Sequence, residues 1–147
     1  MADNYSEKDI EAISKIHHEV YYKMLHSNFE DRFPAIRGLT PLEMGVLGAL
    51  SDNPGAMLRE IAEKLAVAKS TLTSVVDRLE RRGYIYRQIS PRDRRSFELV
   101  LTEDGKRAQR EHIASEHAVY RKMAGSLDSP EEVATLIRLL AKVADRF

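Results

Sequence analysis

Apolar residues recur at helical spacing through most of this chain, and helix-start signals separate the stretches. The spacing predicts six helices, at about residues 7–27, 41–51, 58–66 and 69–82, from 103, and from 130 to near the end. Two of the starts, at Thr40 and Ser129, combine a capping hydroxyl, a following proline and a glutamate three residues after the cap. The chain is therefore predicted to be mainly helical.

The fourth predicted helix has the clearest two-sided pattern. Its apolar stripe has the spacing i, i+3, i+4, i+7 and consists of Leu72, Val75, Val76 and Leu79. Its opposite face is polar and consists of Ser70, Ser74, Asp77 and Arg81, flanked by Thr73 and Arg78. Four hydroxyl residues within 70–74 are poor helix formers, which predicts a role for them other than helix stability.

After Gly83 the apolar pattern changes to period two, which is typical of β-strands. We predict strands at 84–89 and 96–101, joined by a turn at 90–93. Three apolar residues should share one face of the second strand, while Ser96 and Glu98 point away: Phe97, Leu99 and Leu101. The hairpin tip, residues 92–95 (RDRR), is strongly cationic, and Thr102 is predicted to cap the helix that follows.

Charge is unevenly distributed in this chain of 147 residues, although its net charge is zero. Residues 69–95 hold eight Lys/Arg against three Asp/Glu, which is the electrostatic pattern of a polyanion-binding segment or of an exposed, salt-bridged helix. Cysteine is absent, so disulfides, thiolate catalysis and cysteine-ligated zinc are excluded. Neither a membrane-spanning apolar run nor a secretory signal is visible, so we expect a cytoplasmic protein without a membrane partner.

A short turn between two helices, followed at once by a hairpin, is the order of a winged helix-turn-helix. The second helix of such a pair can enter the major groove of DNA, and an arginine at the hairpin tip can reach the adjacent minor groove. The hydroxyls at 70, 71, 73 and 74 would then bond phosphates or base edges, while Arg78 and Arg81 neutralise flanking backbone. Asp77 and Asp93 are expected to orient the tip arginines through charge-assisted hydrogen bonds.

The hairpin sequence resembles the signature of the MarR family of transcriptional regulators. Residues 93–102 (DRRSFELVLT) with Gly105 match its D-x-R and L-T-x-x-G pattern, and residues 65–80 (LAVAKSTLTSVVDRLE) are similar to its recognition-helix segment. The resemblance implies a homodimer whose first, fifth and sixth helices interlock, with Arg95 in the minor groove and Asp93 shaping the wing. The predicted DNA-binding residues are Lys69, Ser70, Thr71, Thr73, Ser74, Arg78, Asp93, Arg94 and Arg95.

Two residues depart from that family pattern. Ala68 occupies a position where relatives often have a capping residue, so the recognition helix is expected to be capped by Ser70 or to begin later. Ser74 lies where several relatives have an arginine that reads a base, and a serine cannot make the bidentate contact with guanine. This chain is therefore expected to rely more on its wing and on DNA shape, or to read a different base pattern.

The resulting prediction is one MarR-type domain over 1–147, with the winged module at about 38–102 and dimerisation helices at about 6–28 and 103–147. Its predicted function is that of a ligand-responsive repressor, a homodimer on a pseudo-palindromic operator in double-stranded DNA. No enzyme motif is recognisable, and we predict neither catalytic activity nor a cofactor. The alternatives are a winged helix that binds only proteins and a zinc-responsive regulator of the same fold.

The resemblance also implies an effector, a small aromatic or phenolic anion, bound between the dimer helices and the DNA-binding lobe. Candidate lining residues are His17, Tyr21, Met44 and Arg121, which would otherwise belong to the dimer core and its rim. All five histidines fall on the first or fifth predicted helix. His112 and His117 are five residues apart, whereas side chains three or four apart meet best on a helix, so we predict no metal site.

Overall fold

The computed structural model describes residues 5–25 and 32–146. Six α-helices lie wholly within these residues: α1 (Glu7–Leu25), α2 (Pro41–Asp52), α3 (Leu58–Lys64), α4 (Lys69–Arg81), α5 (Glu103–Ala124) and α6 (Pro130–Ala144). Strands β1 (Ile85–Ile89) and β2 (Phe97–Leu101) form one antiparallel hairpin, and Pro34–Ile36 is a single 3-10 turn. The predicted fold class, a winged helix-turn-helix with flanking helices, is confirmed. No described helix is both long enough and apolar enough to cross a membrane.

Hydroxyl caps set three of the helix starts, as predicted. The Thr40 hydroxyl accepts the Glu43 N–H at 3.2 Å, and the Glu43 carboxylate accepts the Thr40 N–H at 2.8 Å, which completes a capping box. The hydroxyls of Ser129 and Thr102 accept amide N–H groups at the starts of α6 and α5, at 3.2 and 3.1 Å. Each bond satisfies an amide that the first helical turn leaves unpaired.

The core lies inside the winged module and is built on the predicted stripe of α4. All four stripe residues are at most 2% exposed: Leu72, Val75, Val76 and Leu79. They pack with large buried side chains from α2, α3 and both strands, including Leu47, Leu50, Ile61, Ile85 and Leu99. Full burial of one such side chain stabilises the fold by about 1.5–3 kcal/mol, so this core fixes the orientation of α4.

The connection between α3 and α4 begins earlier than the sequence predicts. Helix α3 ends at Lys64 instead of residue 66, because Ala66 adopts a left-handed conformation with φ of 51°. The Val67 N–H then bonds the Ala62 carbonyl at 3.1 Å, and the Ala66 N–H bonds the Glu63 carbonyl at 3.2 Å, which is a Schellman-type helix end.

Helix α4 begins at Lys69, with Ala68 at its cap position and no side-chain hydrogen bond there. The expectation that Ser70 caps this helix, or that the helix begins later, was therefore wrong. The extended backbone of Ala68 (φ −62°, ψ 140°) leads directly into the first turn, which leaves Ser70 exposed.

Helix α5 starts so close to the end of the α4–β1 connection that only glycine fits at position 105. A Cβ there would overlap the Tyr84 carbonyl oxygen and lie 3.1 Å from the Leu101 side chain. The Thr102 N–H donates to the same carbonyl at 3.0 Å, and the Thr102 hydroxyl lies 2.6 Å from the Gly83 carbonyl oxygen. These contacts explain the glycine of the L-T-x-x-G pattern as a requirement of close approach.

The chain divides into two compact units, Met1–His112 and Ile113–Phe147. In the first unit, every described side chain of α1 from Glu7 to Lys23 is exposed. In the second unit, α6 has no buried residue, and its apolar residues Ile137, Leu140 and Val143 are 62, 55 and 51% exposed. The apolar side chains that recur at helical spacing on these two helices are therefore exposed within one chain.

Candidate nucleic-acid interface

The outward face of α4 presents hydroxyls in two different states. Thr73 and Ser74 donate their hydroxyl protons to the carbonyls four residues earlier, at 2.8 and 3.2 Å, and keep lone pairs that can accept a hydrogen bond. Ser70 and Thr71 are exposed, and their hydroxyls have no hydrogen-bond partner among the described residues. This face therefore offers both free donors for phosphate oxygens and acceptors for base amino groups.

Arg78 lies on the side of α4 next to α2, against a buried carboxylate. Its Nε donates to Oε1 of Glu43 at 3.2 Å, and Glu43 is only 2% exposed. Burial raises the pKa of Glu43, but the bonds from the Thr40 amide, Arg78 and the Thr40 hydroxyl outweigh it and hold the pKa below the usual 4.5. Glu43 is thus ionised at neutral pH, and Arg78 has a structural partner besides any phosphate.

The wing contains one anchored arginine and two free ones. Arg92 pairs with Glu60 of α3 at 3.0 Å and donates to the Gly55 carbonyl at 2.8 Å, which ties the turn to the helix-turn-helix. The exposed guanidinium groups of Arg94 and Arg95 form no ion pair with any described residue. Arg95, the predicted minor-groove arginine, and the neighbouring Arg94 therefore extend from a fixed stem.

Asp93 shapes the backbone of the wing tip. Its carboxylate accepts the Arg95 N–H at 3.0 Å and the Ser96 hydroxyl at 2.8 Å, and these two bonds lower its pKa below 3.8. The side chain acts on the turn that carries the arginines and not on their guanidinium groups, so the expected charge-assisted bond from Asp93 to a tip arginine is not formed.

Asp77 does not orient the tip, and that prediction was wrong. The Asp77 carboxylate pairs with Arg87 of β1, and Arg87 also bonds Glu80 of α4. The wing stem is in this way fixed to the recognition helix by a three-residue ion cluster. Pairs ten and seven residues apart in sequence depend on the packing of β1 against α4, which helical periodicity alone does not reveal.

The second strand alternates as predicted, but its two ends have different surroundings. Leu99 is 1% exposed, whereas Phe97 on the same face is 58% exposed because the core does not extend to the tip. Glu98, on the other face, is only 6% exposed and accepts a hydrogen bond from Gln88. The inference that Glu98 points away from Leu99 holds, but it does not point into solvent.

The candidate effector residues lie on three helices and in both compact units. On α1, the rings of His17 and Tyr21 stack with centroids 6.4 Å apart, while Met44 is half-buried on α2. Arg121 is exposed on α5 in the second compact unit. Among the described residues, no group of three or more His, Cys, Asp or Glu is placed to hold a metal ion. His26 lies outside the described residues.

Comparisons with known proteins find transcriptional regulators that are similar to this chain. A model of the MarR family matches residues 37–96. The HTH-type transcriptional repressor MdtR of Bacillus subtilis is 32% identical over 74% of this chain and 69% of that relative. Streptococcus pneumoniae FabT, solved in complex with DNA, superposes with a TM-score of 0.76 at 25% identity, covering 92% of this chain and 95% of its own.

A further solved structure is that of Bordetella bronchiseptica BpsR, a protein whose DNA binding is regulated by 6-hydroxynicotinic acid. It superposes with a TM-score of 0.64 at 25% identity over 97% of this chain and 99% of its own. The segment matched by the family model contains both α4 and the arginine-rich tip of the wing.

Proposed function

Since this chain belongs to the MarR family of transcriptional regulators, we propose that it binds double-stranded DNA sequence-specifically and acts as a homodimer on a pseudo-palindromic operator. One observation carries the proposal: the hydroxyl face of α4 and the free guanidinium groups of Arg94 and Arg95 belong to elements joined by the Arg87 cluster. Two surfaces fixed to each other can enter neighbouring grooves of one duplex.

The dimer is supported by the uncovered apolar stripes of the terminal helices. Side chains as large as Ile13 and Ile137 are 64 and 62% exposed on α1 and α6. An exposed apolar stripe on a helix marks an association site, and a second copy of the same chain offers a matching stripe under two-fold symmetry. Two winged modules then face two half-sites about one helical turn apart.

Repression and response to an effector follow from the relatives. MdtR is a repressor, and the DNA binding of BpsR is regulated by 6-hydroxynicotinic acid. We therefore propose that this chain is a ligand-responsive repressor that acts in the cytoplasm. The effector class is a small aromatic or phenolic acid, with His17, Tyr21, Met44 and Arg121 as candidate contacts. Coupling of about 1–3 kcal/mol between effector and operator is typical of such switches. The proposal assigns no catalytic activity.

The decisive experiment uses a duplex that the wild-type protein selects from a random-sequence library. Arg95→Ala should weaken binding to that duplex by about 1–3 kcal/mol and leave the dimer intact in sedimentation. Loss of one phosphate or groove contact should also reduce the slope of log affinity against log salt by about 0.9.

The matched control is Arg107→Ala, which removes an exposed arginine that pairs with Asp104 on α5 at 3.0 Å. It should bind DNA as the wild type does. Unchanged affinity of the Arg95 variant would contradict the role of the wing. Negligible binding of any duplex by the wild type would instead favour a winged helix that contacts only proteins.

A further inference from the structure

A small crevice separates the two elements that are proposed to read DNA. It has a volume of about 330 Å³ and is lined by the starts of α3 and α4 and by the stem of the wing. Its basic and apolar lining includes Arg59, Lys69, Arg87, Leu58, Phe97 and Leu99, and no carboxylate lines it. The crevice therefore combines positive charge with an apolar wall.

The charges at the crevice are not equivalent. Arg87 is neutralised by Asp77 and Glu80. The side chains of Arg59 and Lys69 are exposed and form no ion pair with the described part of the chain. Two cations are thus available to an anion at the crevice, while the third maintains its shape.

Phe97 is the anomalous residue of the apolar wall. It is 58% exposed although it lies in a strand whose next residue on the same face, Leu99, is 1% exposed. Its ring lines the crevice beside Lys69 and Thr73 of the recognition helix. Nothing within the module covers this ring, so its exposed surface is available to a ligand in the crevice.

We propose that the crevice holds the sugar–phosphate strand that runs between the two grooves, with Phe97 against a deoxyribose and with Arg59 and Lys69 on its phosphates. The proposal rests on the proposed function, because a major and an adjacent minor groove are always separated by one such strand. A protein that places α4 in one groove and the wing tip in the other must therefore straddle that strand. The positive, carboxylate-free lining complements its charge, and the apolar ring complements the sugar.

This assignment makes Phe97 a DNA contact that does not depend on charge. Removing an apolar contact should lower affinity without releasing fewer counterions, whereas removing a phosphate contact should lower both affinity and salt slope. The two kinds of contact can therefore be separated in one salt titration. The wing also supplies a matched control, Tyr86, an aromatic residue that is 44% exposed on the opposite face of the hairpin.

The experiment measures affinity for the selected duplex at several salt concentrations by fluorescence anisotropy. Phe97→Ala should lose about tenfold in affinity at every salt concentration with an unchanged slope, and Phe97→Leu should recover most of the loss. Tyr86→Ala should bind like the wild type. Arg59→Gln should reduce the slope by about 0.9.

Several outcomes would overturn the proposal while leaving the proposed function in place. If Phe97→Ala binds the duplex like the wild type while Arg95→Ala binds it more weakly, the crevice does not hold the strand. If Phe97→Ala dissociates the dimer in sedimentation, the ring contacts the partner chain and not DNA. If Arg59→Gln leaves the slope of log affinity against log salt unchanged, Arg59 does not contact a phosphate. Absence of duplex binding by the wild type would instead refute the function itself.

Discussion

The winged module and the terminal helices show the same apolar periodicity with opposite burial. The stripe of α4 is at most 2% exposed, whereas the stripe residues Ile137, Leu140 and Val143 of α6 are each more than half exposed. The stripe of α4 is buried by side chains of the same chain, whereas the stripe of α6 needs a partner to cover it. Helical periodicity therefore predicts which side chains will be buried but not what buries them.

The largest effect is expected from the buried stripe of α4. Leu79→Ala removes a side chain that is 0% exposed and should lower the free energy of unfolding by about 2–5 kcal/mol. Denaturant titrations at two protein concentrations should give the same difference from wild type, because the lost contacts are internal. A difference that grew on dilution would show that α4 is stabilised across the dimer.

A substitution in the exposed stripe of α6 should instead weaken the dimer and leave the fold intact. Leu140→Asp places a charge on the exposed apolar face of α6 and should weaken the dimer by about 2–3 kcal/mol while the winged module stays folded. Sedimentation measures the dimer, and circular dichroism measures the fold. Arg138→Asp, on the polar side of the same helix, is the control and should stay dimeric. A dimeric Leu140 variant would place the interface elsewhere.

A smaller effect is expected at the start of α5, where this helix meets the winged module. Gly105→Ala creates a Cβ that overlaps the Tyr84 carbonyl and should cost about 1–3 kcal/mol in thermal or denaturant unfolding. Gly45→Ala is the matched control in α2, because its Cβ would meet only the Leu65 side chain, at 3.6 Å. That control should be neutral or slightly stabilising, since alanine favours helix. Equal stability of both variants would contradict the close approach.

The smallest effect is expected where α3 ends. Ala66 has φ of 51°, a conformation that costs an L-residue about 1–2 kcal/mol and glycine little. Ala66→Gly should therefore stabilise the module by about 0.5–1 kcal/mol after the greater flexibility of the unfolded glycine is subtracted. A lower midpoint of unfolding in this variant would mean that the Ala66 methyl group makes a stabilising contact.

The features predicted correctly from sequence are local ones. The Thr40 capping box, the α4 stripe and the two strands depend on residues within about two helical turns of each other, where periodicity and capping chemistry act directly. The missed features are pairs brought together by packing. Arg78 meets Glu43 across 35 residues, and Asp77 meets Arg87 instead of the tip. An acidic residue on a face predicted to bind DNA was the available signal that this face had a structural partner.

The same distinction applies to the candidate interface. The free arginines of the wing and the hydroxyl face were predicted from composition and order. The exposure of Phe97 was not predicted, because strand alternation places it on the same face as Leu99, which is buried. Periodicity does not reveal where a small core ends, and side chains at that boundary can serve binding.

In the proposed complex, α4 and the wing occupy adjacent grooves in each half of a symmetric assembly. Footprinting of the selected duplex can show this arrangement, with methylation for major-groove guanines and hydroxyl radicals for the backbone facing the minor groove. We expect two major-groove protections related by a dyad, each flanked by a minor-groove protection that Arg95→Ala weakens while the major-groove protections remain. A single unpaired protection, or a minor-groove protection that is the same in the Arg95 variant as in the wild type, would contradict this arrangement.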